Sequence, residues 1–443
     1  MEYKIIQQYK GFYWTSDNER KNAPGILTRY CDGRIELELI GSLDSDNNRY
    51  GEFTNNGRKG IHIIYGMDSD SKKITLFALS YGASLNLSCP FSIVKYRVLV
   101  FVYGKYIAGL DEPHEIEASV KFPELTMWCP PGLIKHSFIR GENGIDKITI
   151  ETSDALIDTT ICQHKMNDGT TIALKGDCYS ESSTHNIKPI LTQWTKLCVL
   201  QDKKNSIRNI LKKIARFEKF LSFAAQKECQ YSEIRLIDKA TVQKTEDEFI
   251  HYLPIFLYME RLNGVNRYKS GDMKYLFYYS DVKEAFPTII SKWIDENDDM
   301  PLVIDHLVDS IIYRNGNNSA DFMTAVQGVD GFWQRFREDS YRTNNNISPK
   351  KRISLDIELR ELRNEFIDIL CKTKEESKDN AIKDTRDFYS HLLKTGKKQM
   401  VLEGQELYNA TCYLRDLLMC CVMKETGFKE NTIKAIMKKR MCY

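Results

Sequence analysis

Long apolar runs are missing from this sequence. No stretch of eighteen consecutive apolar residues occurs, which excludes a membrane-spanning helix and a membrane partner of that kind. Net charge is nearly missing as well. At +2 over 443 residues the chain cannot act as a uniformly basic coat, so contact with a phosphate backbone would need a local patch. The first ten residues, Met1-Glu-Tyr-Lys-Ile-Ile-Gln-Gln-Tyr-Lys10, lack the apolar core of a signal peptide. Cysteine is present twelve times, but no Cys-x-x-Cys pair exists. Thiols scattered through a long chain fit a reduced, cytoplasmic protein better than a disulfide framework. The nearest approach to a zinc set is Cys162, His164, Cys178 and His185, and its spacing matches no common finger or ribbon. No metal and no cofactor are therefore expected. Internal repeats and low-complexity tracts are also absent from the sequence, which sets aside solenoids.

What is present describes a globular chain. Hydrophobic residues make up 42% and charged residues 28%, and the length calls for two or three domains. Residues 1–194 read as β-structure. Ile35-Glu-Leu-Glu-Leu-Ile40 alternates with the two-residue period of a half-buried strand. Ile61 to Tyr65, Lys73 to Leu79 and Arg97 to Tyr103 extend the pattern. Asp32-Gly33, Asn55-Asn-Gly57 and Asn143-Gly144 supply turns, and Asp44 to Asn48 an exposed loop. A sandwich or partly closed barrel is expected.

Residues 195–300 form a mixed connecting region. It includes an amphipathic helix from Ile207, with Ile210, Leu211, Ile214, Phe217, Phe220 and Leu221 on one stripe. Residues 301–443 read as an all-α bundle, so the fold class is multidomain α+β. Its helices are expected over Pro301 to Tyr313, Asp321 to Arg337 (weakened by Gly328 and Gly331), Leu355 to near Cys371, Gln405 to Val422 and Lys429 to Arg440.

One segment of the bundle carries chemistry. In Arg386-Asp-Phe-Tyr-Ser-His391 a permanent cation precedes a neutral-pH proton carrier by five positions, and none of the other seven histidines has an Arg at a comparable distance upstream. RNA can be cut by its own 2′-hydroxyl attacking the adjacent phosphorus. That reaction needs a proton acceptor, a proton donor and a stabiliser of the added negative charge. Imidazole suits both proton transfers and guanidinium suits the phosphorane. Asp384 is the expected N-cap, which would put Arg386 in the first turn and His391 in the second. Five residues along a helix turn through ~500°, so the two side chains diverge by ~140°. A cleft between two chains suits such a pair better than one flat helix face. The plainer reading is a surface Arg paired with Asp384 or Asp387 and a histidine on a helix face. Phe388 and Leu392 are expected in the core. The basic run Lys434, Lys438, Lys439 and Arg440 could follow an RNA backbone; a solvated face at a helix C-terminus accounts for it more simply.

With this segment placed on a C-terminal bundle, the chain resembles HEPN nuclease domains. Their signature is an Arg, a polar residue next to it, and a His with four to six residues between it and the Arg; Arg386, Asp387 and His391 stand at these positions. More narrowly, nearly the whole chain is similar to the ApeA family of bacterial anti-phage proteins. The landmarks are Gly11-Phe-Tyr-Trp14, Pro24-Gly-Ile-Leu27, Ile35 to Gly41, Ile63-Ile-Tyr-Gly66, Lys73-Ile-Thr-Leu76, Phe122 to Trp128, and Phe277, Phe286 and Trp293. Where members of that family often carry Gln-Ala-Leu-Glu with an Arg five residues on, this chain has Gln327-Gly-Val-Asp330 and Arg335. Asp330 is thus a candidate accessory acid or a solvated one.

The resemblance implies an abortive anti-phage ribonuclease that cleaves RNA, with tRNA among the candidates. Its site would be composite, at the interface of a homodimer or higher homo-oligomer. In it His391 would act as acid or base, Arg386 would bind phosphate, and Asp387 would orient one of them. The β-rich half would restrain the nuclease until an unidentified phage-derived trigger arrives. Two other classes stay open. One is a non-catalytic RNA-binding or ligand-sensing scaffold. The other is a ligand- or glycan-binding β-sandwich using Phe12, Tyr13 and Trp14, with a helical oligomerisation domain.

Overall fold

The computed structural model describes residues 4–15, 21–41, 43, 62–84, 93–141, 144–152, 159–181, 190–239, 242–244, 250–261, 274–295, 299–312, 318–370, 378–392 and 400–441. The expected turn at Asn55-Asn-Gly57, the loop Asp44 to Asn48, Asn143 and His185 lie outside these residues. Two compact units are present. The first comprises Met1–Pro123, Gly132–Lys212 and Gln230–Gly271; the second comprises Glu124–Pro131, Lys213–Cys229 and Asp272–Tyr443.

Six strands of the first unit close into an antiparallel barrel: β1 (Ile5–Thr15), β2 (Ala23–Tyr30), β3 (Ile35–Ile40), β4 (His62–Asp68), β5 (Lys73–Ser84) and β6 (Ile93–Tyr103). Their order is β6-β3-β2-β1-β4-β5, and β5 returns to pair with β6. Alternation decides which side chains fill it. Ile35, Leu37 and Leu39 are buried while Glu36 and Glu38 between them are not, as a two-residue period requires. Register shifts in the β5–β6 ladder at Phe77/Ala78 and Ser80/Gly82 supply the bends that closure needs. Tyr13 is fully buried and its hydroxyl donates to the Tyr9 carbonyl at 3.0 Å. A Cβ at residue 66 would lie 2.5 Å from the Tyr13 ring, so a glycine there leaves room for it. Trp14 is buried too, whereas Phe12 is 55% exposed.

The sheet continues beyond β6 through β7 (Ile116–Lys121), β8 (Thr160–Lys165), β9 (Thr170–Glu181), β10 (Ile190–Gln201), β11 (Glu233–Asp238) and β12 (Ile255–Met259). The order onward from β6 is β12-β11-β7-β10-β9-β8. The expected β-rich region is therefore a closed barrel extended by an open sheet.

The second unit is helical: α1 (Ile207–Ala225, which belongs to it from Lys213), α2 (Phe286–Ile294), α3 (Met300–Ile312), α4 (Ser319–Phe336), α5 (Glu338–Asn344), α6 (Leu355–Glu365), α7 (Lys378–His391), α8 (Gly404–Glu425) and α9 (Glu430–Met441). Among the described residues no helix is long and apolar enough to cross a membrane. An aromatic cluster joins segments far apart in the chain. Trp128 meets Phe220 edge to face at 5.4 Å and Phe286 at 5.9 Å, and Phe220 meets Trp293 at 5.4 Å. The Trp128 indole donates to the Phe277 carbonyl at 3.0 Å, which satisfies its polar edge inside the cluster. Arg216 and Lys219 of α1 pair with Asp305 and Asp309 of α3 at 2.8 and 2.7 Å.

Of two helix expectations, the one over Asp321 to Arg337 holds and the one ending near Cys371 changes. Helix α4 runs unbroken through Gly328 and Gly331. A Cβ at 328 would lie 2.6 Å from Leu418 Cδ2 of α8, so the glycine allows two packed helices to approach. Helix α6 stops at Glu365, short of Cys371. Its apolar stripe nevertheless continues through buried Phe366 and Leu370, and burial after the last turn mimics a longer helix.

Arg337, between α4 and α5, grips Glu365 with two parallel bonds at 2.9 and 2.8 Å and reaches Glu425 at 2.7 Å. Replacing Arg337 with Ala leaves two half-buried carboxylates short of their fork. It is expected to cost about 2–3 kcal/mol, read as a lowered urea midpoint. Arg337→Lys should recover only part of this, because an ammonium cannot bond both oxygens in plane.

Candidate functional site

Helix α7 carries the Arg–His motif, and it begins earlier than its local sequence suggests. Lys378 is its first residue and His391 its last. Asp384, a good N-cap in isolation, sits mid-helix, Arg386 falls in the third turn, and His391 occupies the end. Tertiary packing overrides the local signal. Asp379 is buried in the first turn and held by Arg363 of α6 at 2.5 Å, and Asp356 of α6 bonds Lys383 at 2.8 Å. Ala381, Ile382 and Thr385 form the buried face. Burial pushes the Asp379 carboxyl up, with Arg363 opposing.

The Thr385 hydroxyl donates to the Ala381 carbonyl at 2.6 Å and accepts from the Leu402 N–H at 2.8 Å. That bond secures the segment preceding α8 against α7. At the far end, Leu392 takes a left-handed φ of 47° and stops the helix. Leu392 was expected in the core, yet it is 87% exposed. A helix-ending backbone turn swings it away from the packed face.

Arg386 and His391 occupy different environments. The Arg386 side chain is only 17% exposed and its Nη1 lies 3.4 Å from Asp387 Oδ1. Its Nε is buried with no hydrogen-bond partner among the described residues. His391 is exposed, where an imidazole can exchange protons with a substrate. Asp387, the neighbour of Arg386 in the chain, is half-buried. Phe388 and Tyr389 are half-buried and contact each other at 5.3 Å.

Asp330, half-buried on α4, accepts from Gln334 Nε2 at 2.6 Å. Its charge is felt by a residue that sequence reading did not single out, Glu358 of α6. Glu358 is 6% exposed and its Oε2 has no hydrogen-bond partner among the described residues. Burial pushes its carboxyl up to about 8; the Asp330 charge pushes the same way and Arg386 opposes. Arg386, Asp330 and Glu358 are therefore electrostatically linked, with Glu358 the shared member. The sequence does contain a signal for it. Leu355, Glu358, Leu359 and Leu362 occupy one helical face at i, i+3, i+4 and i+7. A carboxylate on an otherwise leucine stripe must be buried beside something.

The basic run lies on α9. Lys434, Lys438 and Lys439 are exposed. Arg440 has structural work instead, bonding Asp416 at 2.6 Å and Gln226 at 2.7 Å; Lys439 Nζ lies 4.0 Å from Asp281. Among the described residues no cluster of three or more His, Cys, Asp or Glu is placed to hold a metal ion.

Two family models match the chain: ApeA N-terminal domain 1 over residues 8–293 and Apea-like HEPN over residues 323–432. The second match contains α6, α7 and α8, and so Glu358, Arg386 and His391. No curated protein and no solved structure matches the chain. Well over half of the sequence falls within the first model and the motif-bearing helices within the second, and the chain accordingly belongs to the ApeA family, with a C-terminal HEPN domain of defence-associated nuclease type.

Proposed function

We propose that this protein is an anti-phage endoribonuclease that cleaves RNA without a metal ion, at a composite site formed by two copies of its HEPN domain. One observation carries the reading: α7 presents an exposed His391 at its end and, within two turns, a guanidinium shielded from water. A shielded cation is worth more to a phosphate than one in bulk water, because the local dielectric is lower. An exposed imidazole exchanges protons at neutral pH. Cleavage by the 2′-hydroxyl requires nothing further in kind, but it does require one base and one acid. A second copy supplies the second imidazole.

Exposed apolar groups beside the motif support such an interface. Leu392 follows His391 directly, and Met400 is 49% exposed on the segment that Leu402 secures to Thr385. Two copies meeting at this end of α7 would cover both side chains. The substrate is RNA, with tRNA among the candidates. Cleavage would halt translation in an infected cell, and the β-rich unit would restrain the nuclease until a phage-derived trigger acts.

The test uses the purified full chain and bulk cellular RNA. Cleavage in the presence of EDTA at the rate seen without it is the expected result, with products ending in 2′,3′-cyclic phosphate. Cleavage abolished by EDTA and restored by Mg²⁺, leaving 3′-hydroxyl ends, would overturn the mechanism.

A further inference from the structure

We propose that Glu358 is a positioning residue for Arg386: its carboxyl receives the buried Nε–H and turns both Nη groups toward the substrate phosphate. The inference rests on the nuclease reading above and deepens it. Two buried polar atoms on packed helices, Nε of Arg386 and Oε2 of Glu358, have no hydrogen-bond partner among the described residues. An unmet buried donor or acceptor carries a penalty of about 1–3 kcal/mol. The donor and the acceptor belong to residues that already feel each other's charge, so closing this pair removes both penalties together. The Nη1 contact to Asp387, at 3.4 Å, is too long to fix the guanidinium plane by itself. A bond at Nε would fix that plane.

Protonation decides whether such a pair helps. A neutral carboxylic acid accepts from Nε without cancelling the guanidinium charge, which stays available to phosphate. An ionised carboxylate would form an ion pair and compete with the phosphate for the same cation. Burial, more than the charges around it, favours the neutral form of Glu358. Asp330 on α4 and Glu338 on α5 disfavour a further negative charge, as does burial; Arg352 before α6 and Arg386 on α7 oppose them, and the net result is a carboxyl pushed up to about 8. The arrangement is thus productive at neutral pH and weakens as the pH rises through about 8.

The experiment measures RNA cleavage by the full chain from pH 6 to 9.5, with the His391→Ala protein subtracted as the alkaline-hydrolysis control. Wild type should lose rate above pH ~8, approaching tenfold per pH unit as the neutral fraction falls. Glu358→Gln, isosteric and unable to ionise, should cleave within about threefold of wild type at pH 7 and show no such loss. Glu358→Ala should cleave about ten- to a hundredfold more slowly at pH 7, as expected for a mis-set guanidinium. If the Ala variant fails to fold, the Gln profile decides alone. An alkaline limb in Glu358→Gln identical to wild type, or full activity in a folded Glu358→Ala, overturns the positioning role and leaves the nuclease reading intact. Absence of His391-dependent cleavage by wild type at every pH removes the nuclease reading, and this role with it.

Discussion

Cells expressing the His391→Ala protein at wild-type levels are expected to keep their RNA intact through phage infection, while cells expressing wild type accumulate fragments. Loss of a general acid or base typically costs 10²–10⁴ in rate. In a site built from two copies the substitution removes both imidazoles, so a fall of at least about 10³ is expected. The variant should fold normally. His391 is an exposed final residue of α7, and losing its interaction with the helix C-terminus costs no more than about 1 kcal/mol. That separation makes the result informative, since silence cannot be ascribed to unfolding. Identical intact RNA in both strains with phage protection retained would move the function into the β-rich unit. Fragments that arise only in infected wild-type cells would show in addition that the nuclease is gated.

The restraint itself should be tested in the intact chain. A fragment starting at residue 301 would lack Trp128, Phe220, Phe286 and Trp293, which pack together in the helical unit. Low toxicity of such a fragment could reflect a missing core. This discontinuity was not legible in the sequence, because no local pattern says that Trp128 joins a helix almost a hundred residues later. Other features were legible where one physical rule dominated. The period-two alternation of Ile35, Leu37 and Leu39 and the helical stripe of α1 both predict what is buried. Barrel closure was not, since it depends on a bulge in each of β5 and β6 that leaves no periodic trace.

At the candidate site the same division holds. The Arg–His spacing could be read directly. The start of α7 could not, because Asp384 carries a strong local capping preference and the contacts that extend the helix past it, Arg363 to Asp379 and Asp356 to Lys383, are tertiary. Glu358 stood on a leucine stripe in plain view. What the sequence could not reveal was which buried neighbour it would meet.

Arg386 should prove nearly as important as His391, with a different kinetic signature. Arg386→Ala is expected to lower kcat by about 10²–10³, the usual cost of removing one donor aimed at developing charge. Binding of RNA should change much less, because many phosphates share the ground-state attraction whereas only the reacting one gains charge in the transition state. Arg386→Lys should recover little, since an ammonium has no planar edge for phosphate and no Nε–H for Glu358. Folding should survive either change. The ion pair that truncation gives up, Nη1 to Asp387 at 3.4 Å, is too long to be a strong one. Its effect on Glu358 also has a definite sign. Arg386 pulls that carboxyl down against burial and Asp330, and without the cation Glu358 holds its proton to still higher pH. Stability that in wild type falls from the ordinary carboxyl range and levels off near pH 8 should therefore go on falling to a higher pH in Arg386→Ala. Urea midpoints measured across pH 6 to 10 would display the shift. A kcat unchanged by Arg386→Ala, with only RNA affinity reduced, would assign the guanidinium to binding alone and leave the phosphorane without its stabiliser.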